Sequence, residues 1–139
     1  MPKKKRERTI LVVDDEETDR EMMLGLLKHL GYTVLLAANY WDALKTYQEY
    51  PTRVDMLLTA IALPGNNGYE LARSLCSVDS SLKVLFVSGP TGAEVSRFYN
   101  MPVSGPHLID KPIQPEELGK RVAGAFRSRV RKLRVQSAT

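Results

Sequence analysis

Apolar and polar residues alternate along this chain in two patterns. Short aliphatic or β-branched runs recur, and longer stretches with an apolar residue every three or four positions separate them. The short runs predict strands that are buried on both faces, and the longer stretches predict amphipathic helices. The predicted strands cover residues 9–13, 32–37, 55–59, 82–88 and 107–110.

The predicted helices cover residues 17–30, 40–50, 69–76 and 93–99, and a last helix begins at Pro115. Gly31 is typical of the residue that follows a helix end, and Asn39 is a typical N-cap. Helical spacing predicts a core-facing stripe on the second helix made of Trp41, Leu44 and Tyr47. Apolar spacing in the last helix continues to residue 133, so we expect this helix to extend beyond the globular body.

Five strands that are each followed by a helix predict an α/β fold, a doubly wound five-stranded parallel sheet of the flavodoxin-like type. Ligands bind such sheets beyond the carboxyl ends of the strands, at the point where the strand order reverses. We expect one domain over residues 9–127. A basic disordered tail over residues 1–8 precedes it, and a basic extension of the last helix and tail over residues 128–139 follows it.

The net charge of +4 is unevenly distributed. Residues 1–8 carry five basic residues, and residues 120–139 carry seven basic and no acidic residues. Residues 9–119 hold eight basic and fifteen acidic residues, a net charge of −7. The high pI therefore belongs to the two ends, which makes it weak support for nucleic-acid binding by the domain.

Hydropathy and cysteine content indicate the compartment. No apolar run approaches the roughly 18 residues of a membrane span, and no apolar segment follows the basic N-terminus as in a secretory signal. Cys76 is the single cysteine, so an internal disulfide is excluded. We expect a cytoplasmic protein without a membrane partner.

Polar residues gather where the predicted strands end. Asp14 and Asp15 follow the first strand, Ser88 ends the fourth, and Lys111 follows the fifth. Two adjacent carboxylates are oxygen ligands that suit Mg²⁺, and a hydroxyl with an ammonium group suits the oxygens of a phosphoryl group. If the strand order is the flavodoxin-like one, these residues meet in one cleft.

Four segments carry a resemblance to a known family. They are LVVDDEE at 11–17, LLTAIALPGNNG at 57–68, VLFVSG at 84–89 and LIDKP at 108–112. In this order and spacing they resemble the response-regulator receiver domain of two-component signalling, the CheY-like family, over residues 9–127. Since no segment long enough for an effector domain follows residue 127, single-domain or tandem-module receivers are the expected kind.

The resemblance implies a role for each of these residues. Mg²⁺ would be held by Asp14, Asp15 and the main-chain carbonyl of Ala62, and phosphoryl oxygens by Ser88 and Lys111. The phosphoryl group would come from a sensor histidine kinase or a phosphotransfer protein and would be accepted by residue 60. Output would be protein contact through the fourth helix, fifth strand and last helix, including a homodimer through the last two, and not enzymatic turnover.

Residue 60 is an alanine, which departs from the family pattern. Phosphoryl transfer needs a nucleophilic oxygen, and the methyl group of Ala60 offers none. Thr59 cannot replace it, because adjacent strand residues point to opposite faces. Mg²⁺ binding is expected to weaken, because a carboxylate about 4 Å from a unit charge contributes ~4 kcal/mol at an effective dielectric near 20.

Leu108, Ile113 and Gln114 also differ from the residues that the family often has at these positions. These three differences suggest that the conformational switching of the family is altered independently of Ala60. Two origins of Ala60 stay open. The intact residues around it favour an engineered change or a recent loss, and the drift near Leu108 favours a natural pseudo-receiver.

Two other functions compete with this interpretation. Residues 120–139 could form a phosphorylation-independent interaction module that binds an acidic partner or, less in keeping with the acidic body, nucleic acid. Asp14 could be the nucleophile of a small Mg²⁺-dependent phosphohydrolase. Against the second, the other predicted strand ends offer no general-base histidine.

Overall fold

A single parallel sheet organises the protein. The computed structural model describes residues 7–50, 52–89 and 108–128. Its strands lie in the order β2-β1-β3-β4-β5, and every neighbouring pair is parallel. This is the flavodoxin-like order, so the predicted fold class is confirmed. The strands are β1 (Thr9–Val13), β2 (Thr33–Ala37), β3 (Met56–Ala60), β4 (Lys83–Ser88) and β5 (Leu108–Asp110).

Four described helices accompany the sheet: α1 (Glu17–His29), α2 (Tyr40–Glu49), α3 (Gly68–Val78) and the C-terminal helix (Pro115–Arg127). The helix predicted at 93–99 lies outside the described residues. The C-terminal helix ends at Arg127, and Ser128 after it has an extended backbone with φ −67° and ψ 126°. Residues 129–139, over which the rest of the predicted extension lies, are outside the described residues, so that part stays a prediction. In the described part of the chain, no helix is both long and apolar enough to cross a membrane.

The helix ends follow local sequence signals. The Asn39 side chain accepts a hydrogen bond of 2.8 Å from the backbone N–H of Asp42, which confirms the predicted cap of α2. Asn67 caps α3 in the same way, accepting from the backbone N–H of Glu70 at 2.8 Å. Gly31 follows the end of α1 with φ +98°, a left-handed conformation that glycine adopts without the steric cost of a Cβ atom.

The core forms two layers, one on each face of the sheet. Residues of β1 and β3 alternate between the layers, which explains why both strands are buried throughout and mostly apolar. The layer beneath α2 and α3 contains Leu11, Val13, Leu57, Phe86, Ala43, Leu71 and Leu75. The layer beneath α1 and the C-terminal helix contains Ile10, Val12, Leu58, Met23, Leu27, Leu118 and Val122.

The predicted core-facing stripe of α2 is wrong for Trp41. Its side chain is 64% exposed, whereas Tyr40 and Ala43 are buried. Because Asn39 is the N-cap, Tyr40 is the first helical residue, and its hydroxyl lies 3.1 Å from that of Ser74 on α3. Trp41 therefore turns outward and packs edge-on against Tyr40, with ring centroids 4.9 Å apart. Residues 40, 43 and 47 fit helical spacing as well as residues 41, 44 and 47 do. Periodicity alone therefore could not show which of the two sets faces the core.

The start of α3 approaches β3 so closely that only glycine fits. A Cβ atom at Gly68 would lie 2.0 Å from the carbonyl oxygen of Ala60.

We expect Gly68→Ala to lower the free energy of unfolding by about 1–3 kcal/mol through overpacking, measured by urea denaturation. The matched control is Gly124→Ala in the C-terminal helix, where no described atom other than those of its chain neighbours and its own helix backbone lies within 4 Å of the added Cβ. It should stabilise the protein by about 0.5–1 kcal/mol, and a similar sign for both variants would contradict the prediction.

Candidate functional site

The sheet register brings the predicted residues to one edge. Val13 pairs with Thr59, so the next residues along the two strands, Asp14 and Ala60, lie side by side. The backbone N–H of Lys111 donates to the Ser88 carbonyl at 2.8 Å, which extends the ladder between β4 and β5. This edge is the carboxyl end of the sheet, where the strand order reverses between β1 and β3.

Asp14 is a fully buried carboxylate, with no exposed surface. Its Oδ1 accepts a hydrogen bond of 2.9 Å from the backbone N–H of Glu16. Its Oδ2 lies 3.1 Å from Lys111 Nζ as an ion pair, yet accepts no well-oriented hydrogen bond from the described residues. The guanidinium of Arg20 donates to the Asp14 carbonyl oxygen at 2.7 Å, so α1 also holds the end of β1 in place.

Lys111 joins two acidic residues at once. Besides Asp14, its Nζ contacts Oδ2 of Asp19 in the first turn of α1, at 2.8 Å. Burial alone would lower the pKa of Lys111, but the hydrogen bonds to Asp19 and Asp14 and their negative charges raise it above its usual value. Lys111 is therefore a charged ammonium at neutral pH, fixed between β1 and α1.

Sequence reasoning did not identify Asp19. An acidic residue in the first turn of a helix is already explained by the positive end of the helix dipole. The ion pair with Lys111 depends on the folded position of β5, and local sequence carries no signal for it.

Ser88 has an acidic partner that the sequence also failed to single out. Its side chain is 2% exposed, and its Oγ donates to Oδ1 of Asp110 at 3.2 Å. Both residues lie in the paired part of β4 and β5, directly opposite each other. The predicted hydroxyl of the site is thus oriented by a carboxylate of the same chain.

Ala60 lies at the predicted position, with 5% of its surface exposed. Leu58 belongs to the core layer under α1 and Leu57 to the opposite layer, so alternation places Ala60 on the α1 face and Thr59 on the other. The buried Thr59 hydroxyl donates to the Ala60 carbonyl at 2.9 Å. The structure therefore supports the argument that Thr59 cannot supply an oxygen on the face where residue 60 points.

The predicted ligands at this edge are oxygen atoms, the donor type that a divalent cation such as Mg²⁺ prefers. The three predicted ligands are the carboxylates of Asp14 and Asp15 and the carbonyl of Ala62, all hard oxygen donors that suit Mg²⁺. Asp15 and Ala62 are exposed, and the unbonded Oδ2 of Asp14 is buried. No group of three or more acidic, histidine or cysteine side chains within the described ranges is placed to hold a metal ion. The ligand types fit Mg²⁺, but two carboxylates provide less charge than three.

The chain's cysteine does not offer an alternative nucleophile. Cys76 lies on α3 and is partly buried. Burial, followed by the negative charge of Asp79, raises the pKa of the Cys76 thiol. The thiolate that would act as a nucleophile is therefore scarce at neutral pH.

The comparisons with known proteins agree on one family. A family model described as the response regulator receiver domain matches residues 10–123. The chain is 32% identical over 121 residues to the phosphate regulon transcriptional regulatory protein PhoB of Pseudomonas aeruginosa, which covers 86% of this chain and 52% of that protein. It is 30% identical over 115 residues to the sensor kinase CckA of Brucella abortus, with coverages of 82% and 12%.

A solved structure supports the same conclusion about the fold. The receiver domain protein of Methanospirillum hungatei, described as CheY-like, superposes with a TM-score of 0.72 at 26% identity, covering 85% of this chain and 92% of that one. The chain spans about half the length of the PhoB protein and a smaller part of the sensor kinase. The predictions for residues 1–6 and 129–139 lie outside the described residues, and the homodimer surface stays a prediction.

The ion pair between Asp14 and Lys111 should contribute measurably to the free energy of unfolding. Lys111→Met leaves the buried Asp14 charge without its ammonium partner, and we expect a loss of about 3 kcal/mol in the free energy of unfolding in urea. Adding Asp14→Asn to that variant removes the charge and should recover part of the loss. Lys45→Met, a control at an exposed lysine of α2, should stay within about 0.5 kcal/mol. Equal stabilities of the Lys111 and Lys45 variants would contradict the role of this contact.

Proposed function

We propose, since this chain belongs to the response regulator receiver domain family, that it is a two-component receiver module that cannot accept a phosphoryl group on residue 60. One observation carries the proposal: the buried position beside Asp14 at the end of β3 holds a methyl group. The surrounding cleft retains Ser88 and Lys111, so only the nucleophilic oxygen is missing. Covalent transfer requires that oxygen, because it forms the new bond to phosphorus.

Receiver domains interact with histidine kinases or phosphotransfer proteins, and they generally bind Mg²⁺ at the phosphorylation site. In this chain, Asp14, Asp15 and the Ala62 carbonyl would hold the ion. When bound, Mg²⁺ neutralises negative charge on phosphoryl oxygens. The Lys111 ammonium already neutralises part of the Asp14 charge, at 3.1 Å. We therefore propose weak Mg²⁺ binding, because the third carboxylate is missing and one of the remaining two is paired.

The proposed output is protein contact without chemical turnover. Ser88 and Lys111 are held by hydrogen bonds to Asp110 and Asp19, which is consistent with a fixed arrangement rather than a catalytic cycle. A partner would then recognise a surface that does not depend on a phosphoryl group. This module is proposed as a binding protein and not as an enzyme.

Restoring the acceptor tests the proposal directly. Ala60→Asp places a carboxylate beside Asp14, and we expect it to gain one phosphoryl group from acetyl phosphate in the presence of Mg²⁺, detected by intact mass measurement. The unchanged chain and Ala60→Asn, which matches the shape without a nucleophilic carboxylate, should gain none. An Ala60→Asp variant that folds and gains no adduct would contradict a preserved phosphate-binding cleft.

The added charge should also carry a stability cost in the absence of metal. A third carboxylate beside Asp14 and Asp15 is repelled by both, and in EDTA we expect Ala60→Asp to be less stable than Ala60→Asn by about 2 kcal/mol at an effective dielectric near 20. Urea denaturation measures this difference, and added Mg²⁺ should reduce it. An aspartate variant as stable as the asparagine variant in EDTA would refute the crowding of acids at this edge.

A further inference from the structure

Asp19 stands out among the charged residues because the helix dipole explains an acid in the first turn of α1 but not its contact with Lys111. Its Oδ2 lies 2.8 Å from Lys111 Nζ, closer than the 3.1 Å between that nitrogen and Asp14 Oδ2. The Asp19 side chain is 29% exposed and the Lys111 side chain 15%, so water screens the pair only in part. Lys111 is thus pulled by a carboxylate of α1 as well as by one at the end of β1.

The second donor of the cleft is engaged in the same way. Ser88 Oγ donates to Asp110 Oδ1 at 3.2 Å, and the Lys111 backbone N–H donates to the Ser88 carbonyl at 2.8 Å. The hydroxyl and the ammonium that would hold phosphoryl oxygens therefore both have carboxylate partners from the chain itself. A phosphoryl group would have to take over the Ser88 hydrogen bond and share the three N–H donors of Lys111 with these carboxylates.

The charge at this edge also opposes an anion. The acidic side chains of Asp14 and Asp19 contact the Lys111 ammonium, and that of Asp110 contacts Ser88. Asp15 follows Asp14 in the chain, so four acidic residues stand at this edge against Lys111 and Arg20, whose guanidinium binds the Asp14 carbonyl. A cleft lined by an excess of one sign repels ligands of the same sign. Among these acids Asp19 is the one on a helix, partly exposed and in the shortest contact with Lys111.

We propose that Asp19 is a positioning residue that holds the Lys111 ammonium against α1, so that it competes with phosphate for that ammonium. This inference rests on the proposed function only in taking Lys111 as the group that would hold phosphoryl oxygens. It predicts that an aspartate at position 60 restores phosphate acceptance incompletely while Asp19 is present. It also predicts that the chain with Ala60 unchanged binds free inorganic phosphate weakly because of Asp19.

The first test compares rates of labelling by acetyl phosphate and Mg²⁺ in three variants: Ala60→Asp, Ala60→Asp with Asp19→Asn, and Ala60→Asp with Glu21→Gln. Glu21 is an exposed acid on the same helix, so its neutralisation controls for the general loss of charge. We expect the Asp19 double variant to label about fivefold faster than the Glu21 double variant, the change that corresponds to a partly exposed ion pair. Equal rates in these two variants would overturn the inference and leave the proposed function standing.

The second test does not depend on an acceptor at residue 60. Inorganic phosphate is titrated into the unchanged chain, Asp19→Asn and Glu21→Gln, and the amide chemical shifts of Ser88 and Lys111 report binding. Asp19→Asn should bind phosphate about fivefold more tightly than the other two, because one of the two carboxylates that hold the Lys111 ammonium is neutralised. If no Ala60→Asp variant accepts phosphate, the proposed function fails and this titration still decides the inference. Dissociation constants that agree for Asp19→Asn and Glu21→Gln would overturn it.

Discussion

A buried carboxylate at the end of β1 sets the geometry of the whole cleft. Asp14 is fully buried, and an ionised carboxylate in such a place costs several kcal/mol unless it is paired and hydrogen-bonded. The backbone N–H of Glu16 and the ammonium of Lys111 provide that compensation. Lys111 reaches Asp14 only because its backbone continues the ladder between β4 and β5. The charge of Asp14 therefore links β1 to the end of the edge strand β5.

Much of the fold could be predicted from sequence because it is encoded locally. A strand buried on both faces needs a mostly apolar run of residues, and β1 and β3 have one. Gly31 and Asn39 mark helix ends because of their own backbone or side-chain properties. The outward position of Trp41 could not be predicted, because two sets of residues on α2 fit the same helical period. Contact between Tyr40 and α3 decides between them, and that contact exists only in the folded protein.

The residues of the candidate site also fall into a group that could be predicted from local sequence and a group that could not. The positions of Asp14, Ser88 and Lys111 could be predicted because each directly follows or ends a strand, and parallel strands end at one edge. The partners of two of them, Asp19 and Asp110, could not. Asp19 lies on a helix whose dipole already explains an acid, and Asp110 lies in a short edge strand. Their importance arises from distances between side chains, which depend on how α1 and β5 pack against the strand ends.

Under the proposed function, an alanine at residue 60 would prevent phosphorylation without disturbing the fold, because the two depend on different atoms. The packing of α3 against β3 uses the backbone of residue 60: the Ala60 carbonyl accepts the Thr59 hydroxyl and leaves room only for Gly68 above it. The ladder of β3 with β4 likewise uses backbone groups. Covalent chemistry would use the side chain of residue 60, which is a methyl group beside Asp14. A methyl group suits a buried strand end better than a third carboxylate would, because it adds no desolvation cost and no repulsion. Under the proposed function, Ala60 would therefore avoid the repulsion that a third carboxylate at this strand end would add.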